Sequence, residues 1–141
     1  MIVDKKDIGN FLPQKDPIVM VDTIIENGED SVITGFTPLI DNIFSEKGVF
    51  TEPGLVENMA QSAAAKSGLE SKNEGLKPMV GFIGALKKLK IYYLPKINEP
   101  FTTHLKITAE VLNIKLAHIY ILQNNQRVAE CEMKIFLQEK N

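Results

Sequence analysis

Apolar and polar residues alternate along most of the second half of the chain. Over residues 100–113, Phe101, Thr103, Leu105, Ile107, Ala109 and Val111 fall on one side, and Thr102, His104, Lys106, Thr108 and Glu110 on the other. A repeat of two marks a strand with one buried and one wet face. Residues 126–138 do the same, with Ala129, Cys131, Met133, Ile135 and Leu137 set against Glu130, Glu132 and Lys134. Residues 79–94 and 116–123 predict further strands, and Asn124-Asn125 is a good tight-turn pair between the last two. Nearer the start, residues 17–27 predict a strand carrying Ile18, Val19, Met20, Val21, Ile24 and Ile25. Asn27-Gly28 then signals a turn, and residues 30–38 supply the hairpin partner.

One stretch changes period. Val56, Met59, Ala60, Ala63 and Ala64 recur at helical spacing. Pro53 suits a first helical position, Thr51 or Glu52 can cap it, and Gly68 is a plausible C-terminal glycine. The apolar face of this helix is rich in alanine, so another element must approach it closely. A curved sheet wrapped around it would do so. Hairpin, helix and a run of long strands make an α+β chain, with one helix laid on one antiparallel sheet in a single domain, residues 1–141.

Composition narrows the function. The chain is 44% hydrophobic and 24% charged with a net charge of −2, so nothing draws it to nucleic acid or an anionic membrane. No apolar run approaches the roughly 20 residues of a membrane span, and the N-terminus lacks an apolar signal core. A lone cysteine, Cys131, excludes an internal disulfide and suits a reducing compartment. The expectation is a soluble cytoplasmic protein. Two histidines and one cysteine leave a metal site to carboxylates alone, and none is expected. No phosphate loop or HExxH sequence is present.

Two segments carry a more specific signal. FLPQKDPIVMVDTI, from Phe11, resembles the start of the 3-hydroxyacyl-(acyl carrier protein) dehydratases, where Leu-Pro-His leads through a proline to Val-Asp. FTEPGLVENMAQSAAAKSG, from Phe50, is similar to their central helix, which carries a glutamate followed by Met-Ala-Gln. The resemblance implies the hot-dog fold, a long central helix wrapped by a curved antiparallel β-sheet. It also implies a homodimer or higher homo-oligomer, or a heterodimer with an active homologue, with sites at the dimer interface. One subunit supplies a histidine and the other the helix acid. The substrate is an acyl chain held as a thioester on the phosphopantetheine of acyl carrier protein or coenzyme A, and no other cofactor is implied. Glu57 takes the place of the catalytic acid, and Gln14 falls where the family has its histidine. Gly54 lies near the glycine whose N–H polarises the thioester carbonyl, although the family glycine sits further upstream of the acid. The loop before the helix, EKGVFTEPG, is altered as in divergent relatives that serve aryl-polyene or resorcinol pigment pathways.

The chemistry can be weighed residue by residue. Dehydration of a 3-hydroxyacyl thioester removes a proton beside the carbonyl and expels water. It therefore needs a base, an acid and donors for the carbonyl oxygen. Glu57 sits near the head of the helix, and Gln61, one turn on, can orient its carboxyl group. The Gly54 and Leu55 amides are candidates for the thioester oxygen. Gln14 can hydrogen-bond but cannot act as a general base, so it would hold the substrate carbonyl or hydroxyl. Judged by spacing alone, Glu57 is equally a solvated first-turn acid, and Gln14 an exposed turn residue between Pro13 and Pro17. His104 and His118 read as surface residues, Asp22 as structural, and Cys131 as a small core residue. Lys87, Lys88, Lys90 and Lys96 read as a solvated face or as a contact for an acidic carrier protein. The functions that follow are a dehydratase-like lyase of fatty-acid or polyene-type lipid or pigment synthesis, an acyl thioesterase using Glu57, or a non-catalytic acyl-binding partner.

Overall fold

The computed structural model describes residues 1–75 and 79–139. Six strands form one antiparallel sheet: β1 (Thr23–Asn27), β2 (Ser31–Phe36), β5 (Met79–Ile91), β6 (Phe101–Val111), β7 (Ile114–Gln123) and β8 (Gln126–Glu139), in the order β1-β2-β6-β7-β8-β5. A short hairpin, β3 (Ser45–Glu46) with β4 (Val49–Phe50), leads into the one long helix, α1 (Glu52–Asn73). The helix lies on one face of the sheet, the α+β arrangement that the pattern predicts. None of the helices described is long and apolar enough to cross a membrane.

The long strands follow their alternation closely. Phe101, Thr103 and Leu105 of β6 are buried, as are Ala129, Cys131, Met133 and Ile135 of β8. The β7–β8 turn is tight because Asn124 and Asn125 both take positive φ, 54° and 63°, which asparagine tolerates better than most residues. The burial of β6 stops early. Its register shifts between Ile107 and Ala109, and Ala109 and Val111 beyond the shift are exposed. A bulge of this kind turns the strand away from the face its pattern assigns. Where α1 meets the sheet, Phe36, Phe50 and Phe101 pack at ring separations of 5.5 to 5.9 Å.

Two expected boundaries are corrected. The first strand begins at Thr23, not at residue 17, because the backbone around Met20 bonds to helix side chains instead of to a strand. The helix runs past Gly68 to Asn73. A Cβ on Gly68 would lie 2.2 Å from the carbonyl oxygen of Phe11, so this glycine admits the 3₁₀ turn Ile8–Phe11 against the helix and does not end it. The stop comes at Gly75, with φ 65°. At the other end Thr51 is the N-cap residue by position, but its hydroxyl donates to the carbonyl of Phe44 and caps no helical N–H.

The two sheet edges differ. Residues 2 and 3 cover β1 through backbone bonds to Ile24. At the opposite edge β5 has, among the described residues, a single strand neighbour, β8.

Gly68→Ala separates packing from propensity. Alanine is the better helix former by about 1 kcal/mol, yet its methyl group would overlap the Phe11 carbonyl, and overpacking costs about 1–3 kcal/mol. A net loss of stability in chemical denaturation is expected.

Candidate active site

The buried side of α1 is not uniformly apolar. Met59, Ala63 and Ala64 are buried as the spacing predicts, and Val56 and Ala60 are half-buried. Asn58, Gln61, Ser62 and Lys66 are buried as well. Polar groups out of water must be paired, and each of these is. Asn58 Nδ2 donates to the Met20 carbonyl at 2.7 Å, and the Thr103 hydroxyl donates to Asn58 Oδ1. Ser62 Oγ donates to the Asn58 carbonyl at 2.8 Å and lies 2.7 Å from Thr34 Oγ1. Lys66 Nζ donates to Asn27 Oδ1 at 2.9 Å, to the carbonyls of Gly28 at 2.6 Å and Ser31 at 3.2 Å, and to Glu70 Oε2 at 3.1 Å.

Gln61 joins this network to the candidate acid. Its Oε1 accepts from the Met20 N–H at 2.7 Å, and its Nε2 donates to the Ile18 carbonyl at 2.8 Å and to Glu57 Oε1 at 2.9 Å. An amide has two N–H donors and one oxygen, and all three are used. The half-buried Glu57 carboxyl is thus held from one side by a side chain that cannot rotate without losing two other buried bonds. The expected link between Gln61 and Glu57 is present. The role of Asn58 was not foreseen, although an asparagine in mid-helix between apolar neighbours is a signal that a partner is required.

Gln14 lies elsewhere on the helix surface. Its amide is beside Ala60, Ala63, Ala64 and Ser67, across from Ile83, Met133 and Ile135, where a cavity of about 30 Å³ remains. Gln14 Oε1 is buried and has no hydrogen-bond partner. Glu57 does not line this cavity, so one chain does not bring the two candidates together.

The expected thioester donors are corrected. The N–H groups of Gly54 and Leu55 both point to the Thr51 carbonyl, at 3.0 and 3.2 Å, and are spent on the first helical turn. Gly54 has a packing reason instead. A Cβ there would sit 2.4 Å from Cζ of Phe50.

The remaining candidates lie off the site. His104 and His118 are on the outer face of the sheet, opposite the helix. The His104 ring stacks on Tyr120 at 4.7 Å, and its Nε2 is 2.9 Å from Thr102 Oγ1. It is half-buried, not solvated as expected, and burial followed by the charge of Arg127 pulls its pKa below the ordinary histidine value. Asp22 Oδ2 accepts from the Thr37 N–H at 3.0 Å, and burial pushes its carboxyl up. Cys131 packs its sulfur 3.7 Å from that of Met59, and burial pushes its thiol up to about 11. Lys87 and Lys90 of β5 pair across the sheet with Glu132 and Glu130, and Lys88 makes an exposed ion pair with Glu132 at 3.6 Å. Local acids therefore offset much of the basic cluster. Among the described residues, no group of three or more histidines, cysteines or acids is placed to hold a metal ion.

Comparison with known proteins follows this geometry. A family model described as ApeP-like, ApeP dehydratase, matches residues 6–141. No curated protein sequence matches the chain. The dehydratase heterocomplex ApeI:P from Xenorhabdus doucetiae superposes with a TM-score of 0.81 at 14% identity, covering 95% of this chain and 91% of that one. The protein PH1136 from Pyrococcus horikoshii gives 0.72 at 13% identity, covering 100% and 98%. A hypothetical thioesterase with coenzyme A from Streptococcus pneumoniae TIGR4 gives 0.66 at 10% identity, covering 84% and 86%. At these identities the likeness is one of fold, and the fold is the hot dog.

Gln61→Met removes the bracket while keeping volume. The Met20 N–H and Ile18 carbonyl would lose their partners, at about 1–3 kcal/mol per buried group, so a marked drop in denaturation midpoint is expected. For Cys131, the neutral thiol is favoured in the fold, a contribution complete below the unfolded pKa and lost as pH rises through about 11. Alkylation at mildly alkaline pH should therefore be slow in the native protein and fast once denaturant is added.

Proposed function

Because the chain belongs to the ApeP-like dehydratase family, we propose that it acts on 3-hydroxyacyl thioesters as one subunit of a dehydratase whose proton-transfer groups come from two chains. The observation that carries this reading is the setting of Glu57. Its carboxyl is held by Gln61 on α1, and among the described residues that amide is its one side-chain hydrogen-bond partner. Both histidines of the chain lie on the far face of the sheet, and the one cysteine is a buried neutral thiol.

Elimination of water needs two proton movements, off the carbon beside the carbonyl and onto the departing hydroxyl. Gln14 stands where the resembling dehydratases have histidine, and an amide can make neither movement. A single copy of this chain thus offers one proton-active group where the reaction uses two. The resemblance sets the histidine of one subunit against the acid of the other. Pairing this chain with a histidine-bearing hot-dog subunit would give two unlike sites. One joins the partner's histidine to Glu57, and the other joins Gln14 to the partner's acid. Only the first holds a full acid–base set. Support comes from the ApeI:P structure, which is a heterocomplex, and from the β5 edge, whose second side pairs with no strand among the described residues. The substrate assigned is a 3-hydroxyacyl chain on acyl carrier protein, in fatty-acid or polyene-type lipid or pigment synthesis. The Gly54 and Leu55 amides have no part in it.

The test compares the chain alone, a histidine-bearing hot-dog subunit alone, and the two mixed. Each is given a 3-hydroxyacyl thioester while enoyl absorbance and free thiol are followed. Enoyl formation is expected to rise on mixing. Glu57→Gln in the mixture should lower that gain by about 10²–10⁴-fold. An unchanged rate would remove Glu57 from the mechanism. Thiol release from a saturated acyl thioester, without enoyl formation, would assign hydrolysis instead.

A further inference from the structure

The β6–β7 hairpin ends in apolar side chains that a single chain leaves in water. Leu112, at its tip, is 92% exposed and takes a left-handed φ of 57°, a conformation rare for a bulky side chain. Val111 and Leu116 are exposed as well. The register shift between Ile107 and Ala109 brings them together. Beyond it, Ala109 lies opposite Leu116 and Val111 opposite Ile114. Residues directly opposite share a face of the sheet. Leu116 alternates with the buried Ala117, so these four side chains turn to the outer face, away from α1. A contiguous exposed apolar cluster marks a contact surface, whereas single exposed residues do not.

The same four residues floor a groove of about 410 Å³, with Lys87 and Lys134 on its walls. The ion pairs among the described residues are Lys66–Glu70, Lys88–Glu132 and Arg127–Glu130. Lys87 and Lys134 at the groove, and the exposed Glu110 beside the tip, belong to none of them. Tip and groove are therefore complementary. One offers a leucine and an acid, and the other an apolar floor and two lysines. An unrelated acidic partner would use the groove and leave Leu112 in water. A second copy uses both, because a two-fold axis gives each tip to the other's groove and closes the contact.

We propose that this hairpin end is an interface between two copies of the chain, in which Leu112 of each copy enters the groove of the other and Glu110 meets the groove lysines. The interface lies on the sheet face opposite α1, apart from Glu57 and Gln61. It is additional to any strand pairing at β5, and it does not depend on the chain being a dehydratase.

Analytical ultracentrifugation of the full chain over a concentration series tests this. The wild type is expected to show a reversible doubling in mass. Leu112→Asn should weaken that step about 100-fold, since each copy loses one buried leucine. The fold should keep its melting temperature, because asparagine accepts a left-handed φ more readily than leucine. Lys134→Glu should weaken the step about 10-fold, and adding Glu110→Lys to it should recover part of the loss. Mass steps that all survive Leu112→Asn unchanged overturn the proposal, as does the absence of any doubling. A step sensitive to Leu112 that appears only on adding a histidine-bearing hot-dog subunit gives the face to that subunit and overturns the second copy as its occupant.

Discussion

Two amide side chains of α1 hold one peptide unit from both sides. Gln61 takes the N–H of Met20 and Asn58 takes its carbonyl. A strand neighbour would ordinarily fill both roles, and here the helix does. The exchange has consequences in both directions along the chain. The extended run before Thr23 is withdrawn from the sheet, and the segment carrying Gln14 is fixed against the middle of the helix. Because the Gln61 amide also reaches Glu57, the group that anchors the loop is the group that aims the acid. Thr103 of β6 donates to Asn58 Oδ1, which leaves Nδ2 to face Met20 and ties the bracket to the sheet.

The same side of the helix continues as a polar row. Asn58, Ser62 and Lys66 follow one another at intervals of four residues and are all buried. Lys66 ends the row by binding the carbonyls of the β1–β2 turn, so the helix reaches from the Met20 segment to that hairpin through side-chain bonds. Alanines at 63 and 64 instead admit the sheet closely. Burial of apolar surface drives the helix onto the sheet but is non-directional. The polar row supplies the direction, since a rotation or slide of the helix would strand several buried donors together. Each bond is worth about 0.5–1.5 kcal/mol net when made and more when broken, so the row contributes register more than bulk stability.

This division explains what could be read from the sequence. The three long strands β6, β7 and β8 are legible because alternation reports burial directly, and Asn124-Asn125 marks a turn through backbone preference alone. The boundaries that went astray were set by contacts between distant residues. Gly68 looks like a stop from its neighbours in sequence and is a contact surface for Phe11 in space. Residues 17–22 have the apolar content of a strand, and only the partners Asn58 and Gln61 show why they are not one. In the site, Glu57 with Gln61 follows from helical spacing. The assignment of Gly54 and Leu55 failed because it compared sequence neighbours of the acid without asking where the first-turn amides already bond.

Glutamine at position 14 gains its meaning from these constraints. Had the loop been free, an unpaired amide oxygen could turn to water at little cost. The bracket on Met20 and the turn of Ile8–Phe11 packed at Gly68 pin the loop on either side of Gln14. The side chain is therefore kept where its oxygen is buried and unmatched.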